Sequence, residues 1–343
     1  MIDLLRTTLC KILDHAEHDD PRGAGWEQLH EAGLLTPFQQ GLTSWSEAAE
    51  LVRAAAERAA AIPFAEQVAA SYLAGQLDVE IGGHLTTLAD PTTSDLIVSA
   101  HGVTGRLALV PHAAVASQLW VEAHDEGRQR ELVLVEMRGV EAQAGQNLAQ
   151  EPRDNLIVTR APSRARIRAH GPIGELMFLG ALVRAVQMAA LAEQVLASSL
   201  EHARTRVQFG RPIGSFQAVQ QALAELGCEV AATNAGVDAA CRALDTCGLL
   251  RIERAAAPIA AAKVQAGITA RKAVEVGHAV HAAIGFTREH RLHRYTQRLL
   301  SYRAEFGAER VFAQFLGQRA RESGPDALWS HLVAVSQPTP QSQ

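Results

Sequence analysis

Phe216, Val219, Leu223, Leu226 and Val230 follow one another at steps of 3, 4, 3 and 4. Only an α-helix returns side chains to one face at that rhythm, so this stretch is a helix with one apolar stripe to bury. The stripe needs other helices beside it. Alanine-rich stretches at 255–262 and 269–283 allow close helix contact. The region from about 169 to 321 therefore reads as a bundle of long helices with short connections.

The chain before it divides in two. Up to about residue 80 it reads as helices. Trp26, Leu29, Leu34 and Leu35 recur at helix-like intervals, and Ser44 followed by Glu47 fits a capping box before the Ala-, Glu- and Arg-rich run 45–61. Pro63 sits where a helix ends or restarts. From about 81 to 168 the pattern changes to short apolar runs: 96–98, 107–110, 119–121, 132–135 and 156–158. Runs of that length, separated by Gly and polar residues, predict a small antiparallel sheet or barrel.

The expected fold class is α+β: an N-terminal helical domain over 1–80, a middle β-domain over 81–168 and a C-terminal four-helix-type bundle over 169–321. A loosely ordered tail over 322–343, with Pro325, Pro338 and Pro340, is expected to follow. This layout does not identify a function on its own.

Composition excludes some classes of function. The chain has 343 residues, 48% apolar and 20% charged, as a globular protein should. A net charge of -5 gives no basic footprint for nucleic acid and no cationic helix for an anionic membrane. Residues 1–6 show no secretory pattern, and no run of about 18 uncharged apolar residues suggests a membrane span. Cys10, Cys228, Cys241 and Cys247 form no CxxC pair and read as reduced thiols of a cytoplasmic protein.

Two motifs carry chemistry. In the first, 206–217 (RVQFGRPIGSFQ), a helix ends near Arg206, Gly210 permits a turn, Pro212 blocks helix continuation and Ser215 can cap the next helix. The turn sets a guanidinium beside an aromatic ring and an amide. That suits an anionic group next to a flat ring system, such as a dinucleotide pyrophosphate. It equally suits an ordinary helix–turn–helix whose Arg binds a carboxylate. The second motif, 281–290 (HAAIGFTREH), is followed by Leu292 and His293. Its histidines read as surface or capping residues, and no ligand quartet has zinc spacing, so no metal is expected.

The first string resembles the acyl-CoA dehydrogenase signature of Arg, two residues, Phe-Gly, then Pro-Ile and Phe-Gln. The second resembles that family's His-Gly-Gly-Ile-Gly-Phe-Thr-x-Glu-His segment, and the spacing between the two also fits. The resemblance covers the C-terminal helical region by motif and the rest by layout. It implies a flavoprotein of fatty-acyl or sterol-side-chain thioester metabolism. Arg206, Gln208, Phe209 and Gln217 would then lie at the FAD of a neighbouring subunit, with His281 and Gly285 on the cofactor side of the second segment. The implied partners are an acyl-CoA, a related chain in a homo- or heterotetramer, and an electron-transferring flavoprotein.

Departures from that pattern qualify the expectation. The family's general base is a carboxylate. In one home it forms a Glu-Gly pair, where this chain has Phe306-Gly307 with Glu305 one residue early. In the other it sits on the first helix of the C-terminal domain, where this chain has Gly180 beside Ala181. The Gly-Gly pair near the FAD phosphates is Ala282-Ala283, and Asp90-Pro91-Thr92-Thr93-Ser94-Asp95 is a faint relic of the usual Glu-Pro-x-x-Gly-Ser-Asp wall. Two functions follow: a dehydrogenase with Glu305 as its base, or a non-catalytic subunit that completes the FAD site of a catalytic paralogue in a heterotetramer. Reduced chains of this kind resemble the partner subunits of heterotetrameric bacterial acyl-CoA dehydrogenases.

Overall fold

The structure is a computed structural model that describes residues 2–15, 24–169 and 174–336. Four helices come first: α1 (Ile2–His15), α2 (Ala24–Glu31), α3 (Trp45–Glu57) and α4 (Phe64–Gln76). Ser44 caps α3 by accepting the Glu47 N–H. The Glu47 carboxylate takes the Ser44 hydroxyl at 3.3 Å, so the cap is fixed from both residues. Pro63 stands immediately before α4.

Strands follow: β1 (Thr86–Leu88), β2 (Ser94–Ser99), β3 (Gly102–Pro111), β4 (Gln118–Asp125), β5 (Arg130–Glu136), β6 (Glu141–Gln143), β7 (Arg153–Ala161) and β8 (Ser163–Arg168). They form one sheet in the order β6-β7-β3-β2-β4-β5-β8, with β1 added beside β4. The sheet is mixed rather than antiparallel. Both β1 and the end of β2 run parallel to β4, while the other pairings are antiparallel.

The continuous apolar runs of β4 and β5 are explained by burial on both faces. Trp120, Leu132 and Leu134 point into the helical core. The alternate residues Leu119, Val121, Val133 and Val135 build a second core inside the sheet layer. The sheet is thereby fixed to the helices by the odd–even alternation of its own strands.

The C-terminal helices are α5 (Glu175–Thr205), α6 (Gln217–Cys247), α7 (Ala256–His281), α8 (Leu292–Ala304) and α9 (Glu309–Ser336). A two-residue ladder, β9 (Val207–Gln208) with β10 (Arg211–Pro212), joins α5 to α6. The expected stripe is present on α6, with Leu223, Leu226 and Val230 buried. α5 lies at the centre and packs against α3, α4, α6, α7 and α8. By length and composition α5 could cross a membrane, but 94% of its most apolar window is buried inside the protein, as in a core helix. The stretch expected as a loose tail is helical to Ser336, broken only at Gly324 (φ 74°), and 337–343 lie outside the described residues.

Candidate functional site

The turn between α5 and α6 is an outward-facing knuckle. Arg206 leaves the helix in an extended conformation, and its N–H still reaches the His202 carbonyl at 2.9 Å. Val207 pairs with Pro212 and Gln208 with Arg211 across the short ladder. Phe209 and Gly210 form its tip, at φ 53° and φ 80°. Two successive left-handed residues make the hairpin turn that matches strand twist; glycine adopts this easily and phenylalanine does not. Phe209 is 91% exposed, with its ring centre 6.1 Å from that of Phe216 in an edge-to-face arrangement. Arg211 lies over the face of Phe216 at 4.3 Å. Ser215 does not cap α6, as the sequence suggested. Its hydroxyl donates to the Pro212 carbonyl at 2.7 Å and Phe216 takes the cap position.

Arg206, Gln208, Phe209 and Gln217 are therefore brought together on one exposed edge. Arg206 has no ion-pair partner among the described residues, so no carboxylate among them accounts for it. A bare guanidinium, an amide and an exposed ring suit an anionic, flat ligand presented from outside.

The second motif lies behind this knuckle. His281 ends α7 and is 2% exposed. Its Nδ1 meets the Gly277 carbonyl at 2.8 Å, and its Nε2 lies 3.3 Å from the Ser198 hydroxyl. It stacks on His202 at 4.6 Å and tilts against His290 at the same distance. Burial, then the neighbouring histidines, hold its pKa below the ordinary value. His202 is lowered too, by burial, His290 and Arg206. His281 is thus an internal packing residue behind the edge rather than a group facing a cofactor. Gly285 is likewise buried, because a β-carbon there would press on His281 Cβ at 2.9 Å and Leu292 at 3.0 Å. Ala282 stands at φ 52°, ψ -136°, a backbone shape that favours glycine, and carries a methyl into it.

Glu305 belongs to a different kind of site. It follows α8, and both oxygens are taken. Arg153 donates to it through Nε at 2.9 Å and Nη2 at 3.1 Å, and Arg184 through Nε at 2.7 Å. Asn147 adds a bond at 3.3 Å. The set continues outward. Arg184 also binds Glu66 at 2.6 Å, Arg153 binds Glu151 at 3.2 Å, and Arg298 and Tyr302 bind Glu151 at 2.8 and 2.9 Å. Three carboxylates face three guanidinium groups, a neutral network joining α4, the segment before β7, β7, α5 and α8.

Burial alone would raise the Glu305 pKa, but Arg153 and Arg184 draw it down to about 2. A general base works best with a pKa near the operating pH. Glu305 stands as the counter-ion of two arginines that are 2% and 1% exposed, a setting that favours an ion-pair role over that of a base.

The two positions that could have held a base meet in space. Phe306 is 2% exposed, at φ 50°, and its ring lies on Gly180 so closely that a β-carbon there would overlap Cδ1 and Cγ. Arg184, one helical turn further along α5, sits 5.6 Å over the same ring. The Phe306 N–H donates to Asp90 Oδ2 at 2.6 Å. Lys263 holds the turn from below, with Nζ donating to the carbonyls of Tyr302, Arg303 and Gly307 at 2.9–3.1 Å. Beside this centre the crevice between α3, α4 and α5 encloses only about 10 Å³, room for roughly one water.

Arg153, Arg184, Lys263 and His202 were not singled out from sequence, and Asp90 only as the start of a faint relic. Their contacts join residues 39–216 positions apart, or in the case of His202 sit on a helix with no marked pattern. No cluster of His, Cys, Asp and Glu among the described residues could hold a metal.

Residues 175–320 match the family described as acyl-CoA dehydrogenase, C-terminal domain. Acyl-CoA dehydrogenase IpdE2 of Mycobacterium tuberculosis is 36% identical over 118 residues, covering 34% of this chain and 34% of that protein. Acyl-CoA dehydrogenase FadE34 of the same organism is 36% identical over 122 residues, 35% of this chain and 16% of that one. The match thus spans about a third or less of each relative. A chain of the ChsE4-ChsE5 complex of M. tuberculosis superposes with a TM-score of 0.80 at 22% identity, over 94% of this chain and 98% of its own length. The stretch from α5 into α9 thus matches the acyl-CoA dehydrogenase C-terminal domain, and all three layers share the fold of the ChsE4-ChsE5 chain.

Proposed function

We propose that this chain is a subunit of an FAD-dependent acyl-CoA dehydrogenase, in which it completes a flavin site and a related chain supplies the base. The observation that carries this is the Phe306 ring seated on Gly180. The two alternative homes of the family's base are both without a carboxylate, and they fill one another's space. Glu305 beside them is bound by Arg153 and Arg184.

The residues present suit a flavin only in part. The donor set of the exposed edge, Arg206, Gln208 and Gln217 with the ring of Phe209, fits phosphate and a flat ring approaching across an interface. The Ala282-Ala283 segment adds methyl groups where a close phosphate approach needs none. When bound, FAD accepts the hydride removed from the acyl chain. This chain's part is to orient that group, and proton removal falls to the partner. The ChsE4-ChsE5 neighbour, a complex of two named chains, supports a heteromeric reading. A cytoplasmic heterotetramer that acts on a fatty-acyl or sterol-side-chain thioester and passes electrons to an electron-transferring flavoprotein is the assembly this implies.

Co-expression with a related acyl-CoA dehydrogenase chain tests it. The complex should show flavin absorbance and bleach it on addition of acyl-CoA, and a Glu→Gln change at the partner's base should abolish turnover. Stoichiometric flavin and acyl-CoA turnover in this chain alone would overturn the proposal.

A further inference from the structure

Three imidazoles converge behind the α5–α6 knuckle. His202 comes from the last turn of α5, His281 from the end of α7 and His290 from the turn before α8. The His281 ring has one of the others on each contact, with ring centres 4.6 Å away in both cases. His278, one turn back on α7, has a buried Nδ1 with no partner among the described residues.

The hydrogen bonds fix where the protons sit. The Gly277 carbonyl can only accept, so His281 Nδ1 carries the proton and Nε2 accepts from the Ser198 hydroxyl. His290 Nδ1 accepts the Leu292 N–H at 3.1 Å, so that nitrogen is bare. From α8, His293 meets the His290 carbonyl through Nδ1 at 2.7 Å. The turns 213–215 and 282–286 bring no titratable group. The groups that act on His202 are His290 and Arg206, and those that act on His281 include His202, His290 and His278. No carboxylate forms an ion pair with His202, His281 or His290 among the described residues. Burial first, then these basic neighbours, hold His202 and His281 below the ordinary histidine pKa.

The stack is tied to the knuckle through the backbone. The His202 carbonyl accepts the Arg206 N–H at 2.9 Å, and the Arg206 carbonyl accepts the Ile213 N–H at 2.9 Å. Gly214 lies so close to the next residue of α5 that a β-carbon would sit 2.9 Å from the Ala203 carbonyl oxygen. A shift of His202 therefore moves both supports of the 206–216 segment. Aliphatic side chains would fill this site without any dependence on pH. Three imidazoles beside a guanidinium hold together only while they are uncharged.

We infer that His202, His281 and His290 form a proton-operated latch: neutral, they hold the end of α5 on α7 and keep the Arg206–Phe216 edge in place, and on acidification they separate and free that edge. The inference concerns the chain by itself and does not rest on the subunit role proposed above. The direction follows from linkage. His202 and His281 are lowered in the closed state, so they take up protons more readily once it opens. The closed state is complete above about pH 6.5, the ordinary histidine value. It is lost as pH falls below that, the open population rising about tenfold per pH unit for each proton gained.

Amide exchange of the full chain, corrected for the intrinsic effect of pH, tests this from about pH 7.5 to about 5.5, the range in which histidine charges. Exchange at 203–216 should accelerate about tenfold or more, with the middle of α6 and α7 unchanged. His202→Phe keeps a stacking ring that cannot charge, and should remove most of the step. Arg206→Ala removes the fixed charge beside His202, so the step should move to higher pH, a shift that a purely structural arginine would not produce. That variant carries the test where His202→Phe does not fold. No step in the unaltered chain, an undiminished step in folded His202→Phe, or a step at the unaltered pH in Arg206→Ala would overturn the latch. So would acceleration spread evenly over the bundle.

Discussion

The Phe306 ring lies in the space that a side chain at Gly180 would have to enter. One residue is on α5 and the other in the turn after α8, 126 positions apart in sequence (306 − 180). Each explains the other. A ring this close requires glycine, and a glycine inside the second turn of a 31-residue helix, at a conformational cost of up to about 1 kcal/mol, is offset by the apolar surface of the ring.

Gly180→Ala should therefore destabilise, although alanine is the better helix former. Overpacking costs typically about 1–3 kcal/mol. Combined with Phe306→Leu, which removes the clashing ring edge, the loss should be smaller than the sum of the two single changes. Urea unfolding of the two single variants and the double variant measures this coupling. Strict additivity would mean that the two residues do not share the space.

Glu305→Gln should be a stability variant rather than a specific catalytic one. It removes the charge that Arg153 and Arg184 both face. Breaking a buried pair by removing one partner costs roughly 3–5 kcal/mol. A complex refolded below its lowered unfolding midpoint should keep near-normal turnover per bound flavin. A hundredfold or larger loss of turnover at full folding would restore Glu305 as a base.

Much of this was open to a reader of the sequence, and the boundary has a physical origin. The α6 stripe, the Ser44 cap and the Phe209-Gly210 turn are local, so the residues that decide them are adjacent. The emptiness at Gly180 and Phe306 was visible only by resemblance, and their contact was not visible at all. The Glu66–Arg184–Glu305–Arg153 chain joins residues 118–152 positions apart. In sequence each of these is an ordinary charged residue, indistinguishable from a solvated one. The parallel pairing of β1 and β2 with β4 escaped for a similar reason: contacts of three and two residue pairs carry no periodic signal. Ser215 was misread because a serine before a helix can serve a neighbouring carbonyl as easily as an amide.

Two kinds of buried carboxylate should give the acid stability profile opposite slopes. Burial raises Glu122 to about 7, so its charge costs stability above that pH. As pH falls from about 7 toward the ordinary 4.5, the folded state takes up the proton first and stability rises. Glu305 is depressed to about 2, so its contribution is complete above 4.5 and is lost as pH falls through about 2. Glu66, which Arg184 lowers despite its burial, follows Glu305. Glu122→Gln can still accept the Leu176 N–H, and it should flatten the rise between pH 7 and 4.5 while leaving the loss below 4.5. Chemical denaturation at half-unit pH steps checks both limbs.

Lys263→Met tests what holds the Phe306 turn. The ammonium is buried and donates to three carbonyls at the end of α8 and beyond it. Methionine keeps most of the length and none of the donors. Each stranded carbonyl costs about 1–3 kcal/mol, so the variant should unfold more readily. Hydrogen exchange should speed up first at the amides of 305–307, including the Phe306 N–H held by Asp90. Uniform exchange across the bundle, with no local excess in that turn, would show that Lys263 acts only on global stability.

The exposed knuckle should behave in the opposite way. Arg206 is exposed and has no ion-pair partner among the described residues, and Phe209 stands 91% in solvent. Surface substitutions away from caps and cores usually change stability by less than about 0.5 kcal/mol. Arg206→Ala should therefore leave the unfolding of the isolated chain unchanged. If the edge serves a flavin held across an interface, the same substitution should weaken FAD retention by the complex about tenfold to a hundredfold, as expected for one lost charge-assisted phosphate contact. Phe209→Ala should add a loss of assembly, since it removes the largest apolar group of the edge. Sedimentation of the complex and its flavin-to-protein absorbance ratio report the two effects separately. Full flavin occupancy in an intact Arg206→Ala complex would take the guanidinium out of the cofactor site and leave the knuckle as a plain hairpin between two helices.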